Sequence, residues 1–147
     1  MEVNRKLAIG SDHAGYELKE TLKRYMEEKG YEVKDHGTYS DESTDYPEYA
    51  HAVANSVAEE NDVGYGILIC GSGNGISMSA NKHVGVRAAL CWNKEVAVLA
   101  RQHNNANIVS LPARFITTEE AKSIVVAFVE EEFEGGRHQR RVDKIDE

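Results

Sequence analysis

Between Cys70 and Ser77 the chain reads CGSGNGIS, with three glycines in five residues directly behind an apolar run. Glycines let successive backbone N–H groups converge on an anion as the chain turns into a helix, whose first amides lack partners and whose dipole favours negative charge. Cys70 closes the apolar run and faces that helix start, a setting that favours the thiolate and so a nucleophile or a base. Ser72 can donate a hydrogen bond that favours the thiolate further. The spacing is Gly-x-Gly-x-Gly rather than the dinucleotide fingerprint. The next strand ends in Cys91, Trp92 and Asn93 without a ribose-binding acid, and no lysine follows in the phosphate-loop pattern. The plain alternatives are a ligand-free turn and a cysteine acting as a small buried hydrophobe, and Cys91 keeps the second role.

Other polar groups stand just after apolar runs. Asp12 and His13 lie in GSDHAG, and Asp45 and Tyr46 precede Pro47 in TDYP, where helix capping is the plain role of each aspartate. His103, in RQHNNAN, falls on the apolar stripe of a helix. It is either a satisfied core histidine or, at the helix end beside Asn104, a group suited to proton transfer near neutral pH. Arg114 and the segment GRHQRR, Gly136 to Arg141, gather cations in an otherwise acidic chain. They are either a solvated basic surface paired with Glu130 to Glu134 or a phosphate grip, since guanidinium matches phosphate oxygens in paired hydrogen bonds. The histidines His13, His36, His51, His83, His103 and His138 show no His-x-x-x-His spacing and the cysteines no Cys-x-x-Cys, so no metal is expected.

These groups need a scaffold, and the pattern of apolar residues describes one. Short β-branched runs at Lys6–Gly10, Tyr31–His36, Tyr65–Cys70, Arg87–Cys91 and Asn107–Leu111 alternate with segments of helical period. The helical stripes are Leu18, Leu22, Tyr25 and Met26; Ala50, Val53, Ala54, Val57 and Ala58; Val96, Leu99, Ala100 and His103; and Ala121, Ile124, Val125, Phe128 and Val129. Thr117 with Glu120 forms a capping box for the last of them. Gly30, Gly64 and Gly85 stand at helix-to-strand junctions where a left-handed residue is expected. The alternation predicts an α/β fold with a five-stranded parallel sheet covered by helices on both faces, and ligands outside the carboxyl ends of the strands.

Composition bounds the rest. At 147 residues, with 41% hydrophobic and 29% charged positions, one domain over 1–147 is expected. A net charge of -8 argues against nucleic acid and against an anionic membrane surface. No stretch approaches the roughly 20 apolar residues of a membrane span, and MEVNRKLAIG has no signal-peptide h-region. Two cysteines in apolar runs read as free thiols in a reducing cytosol, so a cytoplasmic protein is expected.

A ring-opening acid/base, a base beside a carbonyl, N–H groups for an enediolate and cations for phosphate are together the parts of an aldose–ketose isomerisation. The ordered blocks GSDHAG, TDYP, CGSGNGISMSANK, GVRAALC, RQHNNAN and EGGRHQRRV span Gly10 to Val142 and resemble the ribose-5-phosphate isomerase B family. The resemblance implies a three-layer Rossmann-like fold, no metal or organic cofactor, a homodimer with sites shared between subunits (a tetramer being a further assembly), and a sugar phosphate as the small-molecule partner. It implies Cys70 as proton-abstracting base, Ser72 as its activator, and the amides of Gly71, Ser72, Gly73, Asn74 and Gly75 as anion hole. His103 is implied as ring-opening acid/base, with Asp12, Asp45, Tyr46 and Asn104 along the sugar. Phosphate falls to His13 and Arg114 of one subunit and to Arg137 and Arg141 of the other, in a C-terminal tail at 134–147, with His138 assisting. One branch of that family replaces the cysteine by a later glutamate; here the later stretch is Ile76 to Ser79, so the cysteine branch is the match. Rival readings are the same chemistry on allose or galactose 6-phosphate, a Cys70–His103 hydrolase, and a non-catalytic sugar-phosphate sensor.

Overall fold

The computed structural model describes residues 4–60 and 63–147; the polar lead Met1–Val3 lies outside the described residues. Five strands, β1 (Lys6–Ser11), β2 (Glu32–Asp35), β3 (Tyr65–Cys70), β4 (Ala88–Leu90) and β5 (Ile108–Pro112), pair in parallel in the order β2-β1-β3-β5-β4. Six α-helices accompany them: α1 (Tyr16–Glu28), α2 (Tyr46–Asn55), α3 (Asn74–Ala80), α4 (Lys94–Asn104), α5 (Thr118–Glu130) and α6 (Arg137–Asp143). β2 and β4 are shorter than their apolar runs. Both are edge strands with one neighbour, and at β4 side chains replace the missing ladder, Asn81 Oδ1 accepting the Ala88 amide at 2.8 Å and Asn107 Oδ1 that of Arg87 at 2.8 Å.

Successive strand residues feed opposite faces, as the pleat requires. Leu7, Ile9, Ile67, Ile69, Val109 and Leu111 pack with α1, α4 and α5, whereas Ala8, Leu68, Cys70 and Ile108 pack with α2 and α3. Phe128 of α5, wholly buried, meets the Tyr65 ring edge-on at 5.4 Å. The capping box forms with both bonds, Thr117 Oγ1 accepting the Glu120 amide and Glu120 Oε1 that of Thr117. Gly30 and Gly85 take positive φ, but Gly64 does not; its Cβ position is hemmed by the Asn4 carbonyl at 3.2 Å. Leu99 is also misjudged from its spacing and faces outward, while Arg101 takes the buried side of α4. Its guanidinium donates to the carbonyls of Glu131 and Ala106 and to Asn105 Oδ1, which satisfies a charge that burial would otherwise penalise.

Because the chain leaves β1 toward β2 over one face and returns to β3 over the other, the connections part between β1 and β3 at the carboxyl edge, the usual place for a ligand crevice. The loop that borders this crevice, 36–45, is anchored by a buried ion pair. Lys19 Nζ, wholly buried, donates to Asp35 Oδ2 at 2.7 Å and Glu20 Oε1 at 2.9 Å, and Asp35 Oδ1 accepts the Gly37 amide at 2.8 Å. Burial opposes both charges, yet the hydrogen bonds and Coulomb attraction outweigh it: Asp35 is held below the usual carboxylate value and Lys19 above the usual lysine value. Asp35 therefore contributes fully above about pH 4 and loses its contribution as pH falls through its lowered folded pKa. Lys19 contributes fully below about pH 10 and loses its contribution as pH rises through its raised one. Asp35→Asn leaves Lys19 buried beside a neutral amide and is expected to cost about 3 kcal/mol in urea unfolding at pH 7. The deficit should shrink below pH 4, where the parent protonates too; an unchanged urea midpoint at pH 7 would show the pair to be idle.

Candidate active site

At the β1/β3 crevice a cleft of about 510 Å³ is lined by Asp12, His13, Ala14, Tyr46, Cys70, Gly71, Ser72, Gly75, Arg114 and Phe115. Backbone bonds tie its walls together: the Asp12 amide donates to Ile69 O at 3.3 Å, Ala113 to Cys70 O at 2.9 Å and Arg114 to Gly71 O at 3.0 Å. Asp12 caps the 3-10 turn His13–Gly15 through Oδ1, which accepts the amides of Ala14 and Gly15, and so the capping role and the place in the cleft coexist. His13 Nδ1 accepts the Thr44 amide at 3.2 Å, which puts the proton of the neutral ring on Nε2, as a donor to an incoming oxygen. Arg114 is exposed and makes no ion pair among the described residues. Its guanidinium lies across Gly71, where a Cβ would stand 3.1 Å from Nη1.

Glycines in the loop answer to close approach as much as to anion binding. Gly73, the N-cap of α3, has φ 78°, and a Cβ there would come 2.5 Å from Leu90 Cδ1. A Cβ on Gly75 would lie 2.5 Å from Tyr46 Cζ, so that glycine admits the tyrosine ring into the cleft wall. Ser72 Oγ accepts the Asn74 amide at 3.3 Å, and its hydroxyl proton is left to donate elsewhere. Gly73 and Asn74 shape the turn without lining the cleft. Asp45 is exposed at the N-cap of α2, makes no capping bond and does not line the cleft either, although Tyr46 beside it does. Phe115 went unnoticed in the sequence. It is 74% exposed at the cleft, and an aromatic directly behind the arginine that follows a strand was the available signal.

The remaining candidates collect elsewhere, which breaks the intrachain Cys70–His103 pairing that a hydrolase would need. His103, at the end of α4, stacks on His138 of α6 with ring centroids 4.3 Å apart and planes 12° from parallel. Both Nε2 atoms face Glu134 Oε1, at 3.9 Å from His103 and 3.6 Å from His138. His103 is half-exposed rather than a core histidine; burial, with His103 and Arg137 nearby, lowers the His138 pKa from its ordinary value. Asn104 lines a different hollow with Asn81, Arg87 and Ile145. The tail is a helix: Gly135 and Gly136 take φ of 70° and 57°, reverse the chain and start α6, which leaves Arg137 and Arg141 exposed with no ion pair among the described residues. Glu134, expected only as one of the acids paired with the basic segment, faces the two histidines instead, and these come from separate elements that spacing along the chain does not join.

A thiol ending a strand beside a glycine turn, a guanidinium without an ion pair among the described residues and a donor histidine are groups that can transfer a proton and hold an anion. The family model for ribose/galactose isomerase matches residues 7–145, and the chain belongs to that family and is an isomerase. It is 48% identical over 141 residues to ribose-5-phosphate isomerase B of Escherichia coli, covering 96% of this chain and 94% of that one. Among solved structures it is similar to a ribose 5-phosphate isomerase of Thermotoga maritima (55% identity, TM-score 0.94, covering 96% and 97% of the two chains). It is similar also to ribose-5-phosphate isomerase B of Mycoplasma genitalium with bound ribulose-5-phosphate (48% identity, TM-score 0.91, covering 95% and 93%).

The two thiols differ. Cys91 is wholly buried, donates to Ala89 O at 3.6 Å, and burial pushes its thiol up to about 12, whereas Cys70 opens on the cleft. Iodoacetamide at pH 8 is expected to modify Cys70 and spare Cys91 in the folded protein, with peptide mass spectrometry as the readout. Equal labelling of both would contradict this division.

Proposed function

We propose that the chain interconverts D-ribose 5-phosphate and D-ribulose 5-phosphate, at a site completed across a homodimer. The observation that carries it is the division of the polar groups: Cys70, Asp12, His13 and Arg114 share one cleft, while His103, Arg137 and Arg141 belong to the α4–α6 end of the same chain. In a two-fold dimer each cleft can receive the other chain's α4–α6 end, because a symmetric interface joins unlike patches reciprocally. Met78, Val84, Trp92, Leu99 and Ile145, exposed apolar residues on and around the elements flanking the edge strand β4, support a covering second copy. The bound ribulose-5-phosphate of the Mycoplasma genitalium relative supports the substrate class.

On this reading the partner subunit's His103 passes the anomeric hydroxyl proton to the ring oxygen and opens the sugar. The Cys70 thiolate then takes the proton from C2, and the amides of the Gly71–Gly75 loop hold the developing enediolate oxygen, with Ser72 donating to the thiolate. The hydroxyl proton on O2 passes to O1 across the enediolate, and returning the carbon-bound proton from Cys70 to C1 then leaves the carbonyl at C2 and regenerates the thiolate, so no cofactor or net proton is consumed. Asp12, Tyr46 and Asp45, with Asn104 from the partner, align the hydroxyls. His13 and Arg114, with the partner's Arg137, His138 and Arg141, hold the phosphate and supply orientation. Residues 1–147 form one domain on this reading, with 134–147 as its phosphate arm, and two unpaired thiols fit a cytoplasmic enzyme.

Steady-state turnover of ribose 5-phosphate should exceed that of allose 6-phosphate and galactose 6-phosphate in kcat/KM, should survive EDTA, and should fall by about 10³-fold in Cys70→Ala. A six-carbon substrate in first place would keep the mechanism and change the substrate. Mixing inactive Cys70→Ala and His103→Asn chains under subunit exchange should restore about a quarter of the parent rate, since half of the dimers are then mixed and each has one intact site. No recovery after demonstrated exchange would overturn the shared site and remove the partner's His103 from the reaction.

A further inference from the structure

We infer that His103, Glu134 and His138 form a binding site for a zinc-class transition-metal ion, whose occupancy inhibits the isomerisation by taking the imidazole of His103. The inhibitory half rests on the ring-opening role proposed for His103; the metal site stands on geometry alone. The three ligand atoms lie within 4.8 Å of one another, and among the described residues this is the one place where three such groups converge. Two histidines and a glutamate leave a fourth position of a tetrahedral ion open. Bonds of about 2.0–2.1 Å at the tetrahedral angle set ligand atoms about 3.4 Å apart. Glu134 Oε1 is 3.6 Å from one Nε2 and 3.9 Å from the other, so contraction by a few tenths of an ångström suffices there.

Orientation asks for one larger movement. The stacked rings, 12° from parallel, cannot both aim their lone pairs at one point, and one must turn. His103 has room to do so, being 41% exposed and, among the described residues, holding no side-chain partner but this cluster, whereas the His138 side chain is 11% exposed. The backbone behind the ligands is fastened. The Glu134 amide donates to Gln102 O at 3.1 Å, Gln102 Nε2 to Glu131 Oε1 at 3.0 Å, and buried Arg101 Nε to Glu131 O at 3.1 Å, which straps 131–134 across the end of α4. Arg137 and Arg141 oppose a bare cation, so Glu134 is the ligand the site can least lose. The other histidine pair lacks these features: His51 Nδ1 and His83 Nε2 are 2.7 Å apart, bonded directly to each other, with no third ligand among the described residues.

The test is a zinc titration of EDTA-stripped, desalted protein against a chromophoric chelator, with cobalt absorption as a second readout. It is run on the parent, Cys70→Ala, Glu134→Gln and His138→Gln chains. Cys70→Ala removes the competing thiol of the active-site cleft. The expected result is one ion per chain in the micromolar range or tighter, retained in Cys70→Ala with no thiolate-to-cobalt band, and weakened at least about tenfold in each of the other two. Zinc should inhibit the parent over the same concentration range, and Glu134→Gln, measured against its own metal-free rate, should resist that inhibition by at least about tenfold in zinc concentration. Absent binding, binding unchanged in Glu134→Gln and His138→Gln, or binding lost with Cys70 would overturn the site. Binding at these ligands without inhibition would uphold the metal site and remove His103 from ring opening.

Discussion

The carboxyl edge of a parallel sheet leaves its last carbonyls beyond the ladder, and in this chain the loops that satisfy them also carry the chemistry. Asp12 bonds to the Ile69 carbonyl, Ala113 to that of Cys70 and Arg114 to that of Gly71, while Gly37 and Thr38 exchange bonds with Ser11. Each bond is backbone and independent of the side chain it delivers. An acid, a thiol and a guanidinium are thereby held around one cleft by groups that had to be paired in any case.

Charge follows a matching division. Lys19 and Arg101 are buried and surrounded by acceptors, as a low-dielectric interior demands. Arg114, Arg137 and Arg141 are exposed and hold no acid among the described residues, despite a net charge of -8 that supplies acids in excess. Positive charge left uncompensated in an acidic protein is what a phosphate can use, and it lies at two separate ends of the molecule. On the proposed reading each end is half of a phosphate grip, and two-fold symmetry is the simplest way to bring unlike halves together twice.

Glycine serves two ends in the 71–75 loop. Positive φ at Gly73 turns the chain into α3, and the missing side chains of Gly71 and Gly75 admit Arg114 and Tyr46. The loop's composition thus reflects packing by neighbours that are 29 and 43 positions away in sequence.

The strands, the alternation of faces, the capping box and the Cys70 loop were readable from the chain alone, because periodicity and turn chemistry act between residues a few positions apart. So was the family, through blocks whose order survives in one dimension. Leu99 and Arg101 were not: a helical stripe states which residues share a face, but which side faces the core depends on what packs there, and Arg101 wins its place by capping carbonyls from two other segments. The placement of His103 and His138 was equally out of reach. His103 and His138 are separated by the strand β5 and the helix α5, and only the Gly135–Gly136 reversal lays α6 against α4 and stacks them beside Glu134. Local spacing determined the parts of this protein; long-range packing decided that Cys70 and His103, read as one catalytic pair, belong to opposite ends of a single chain.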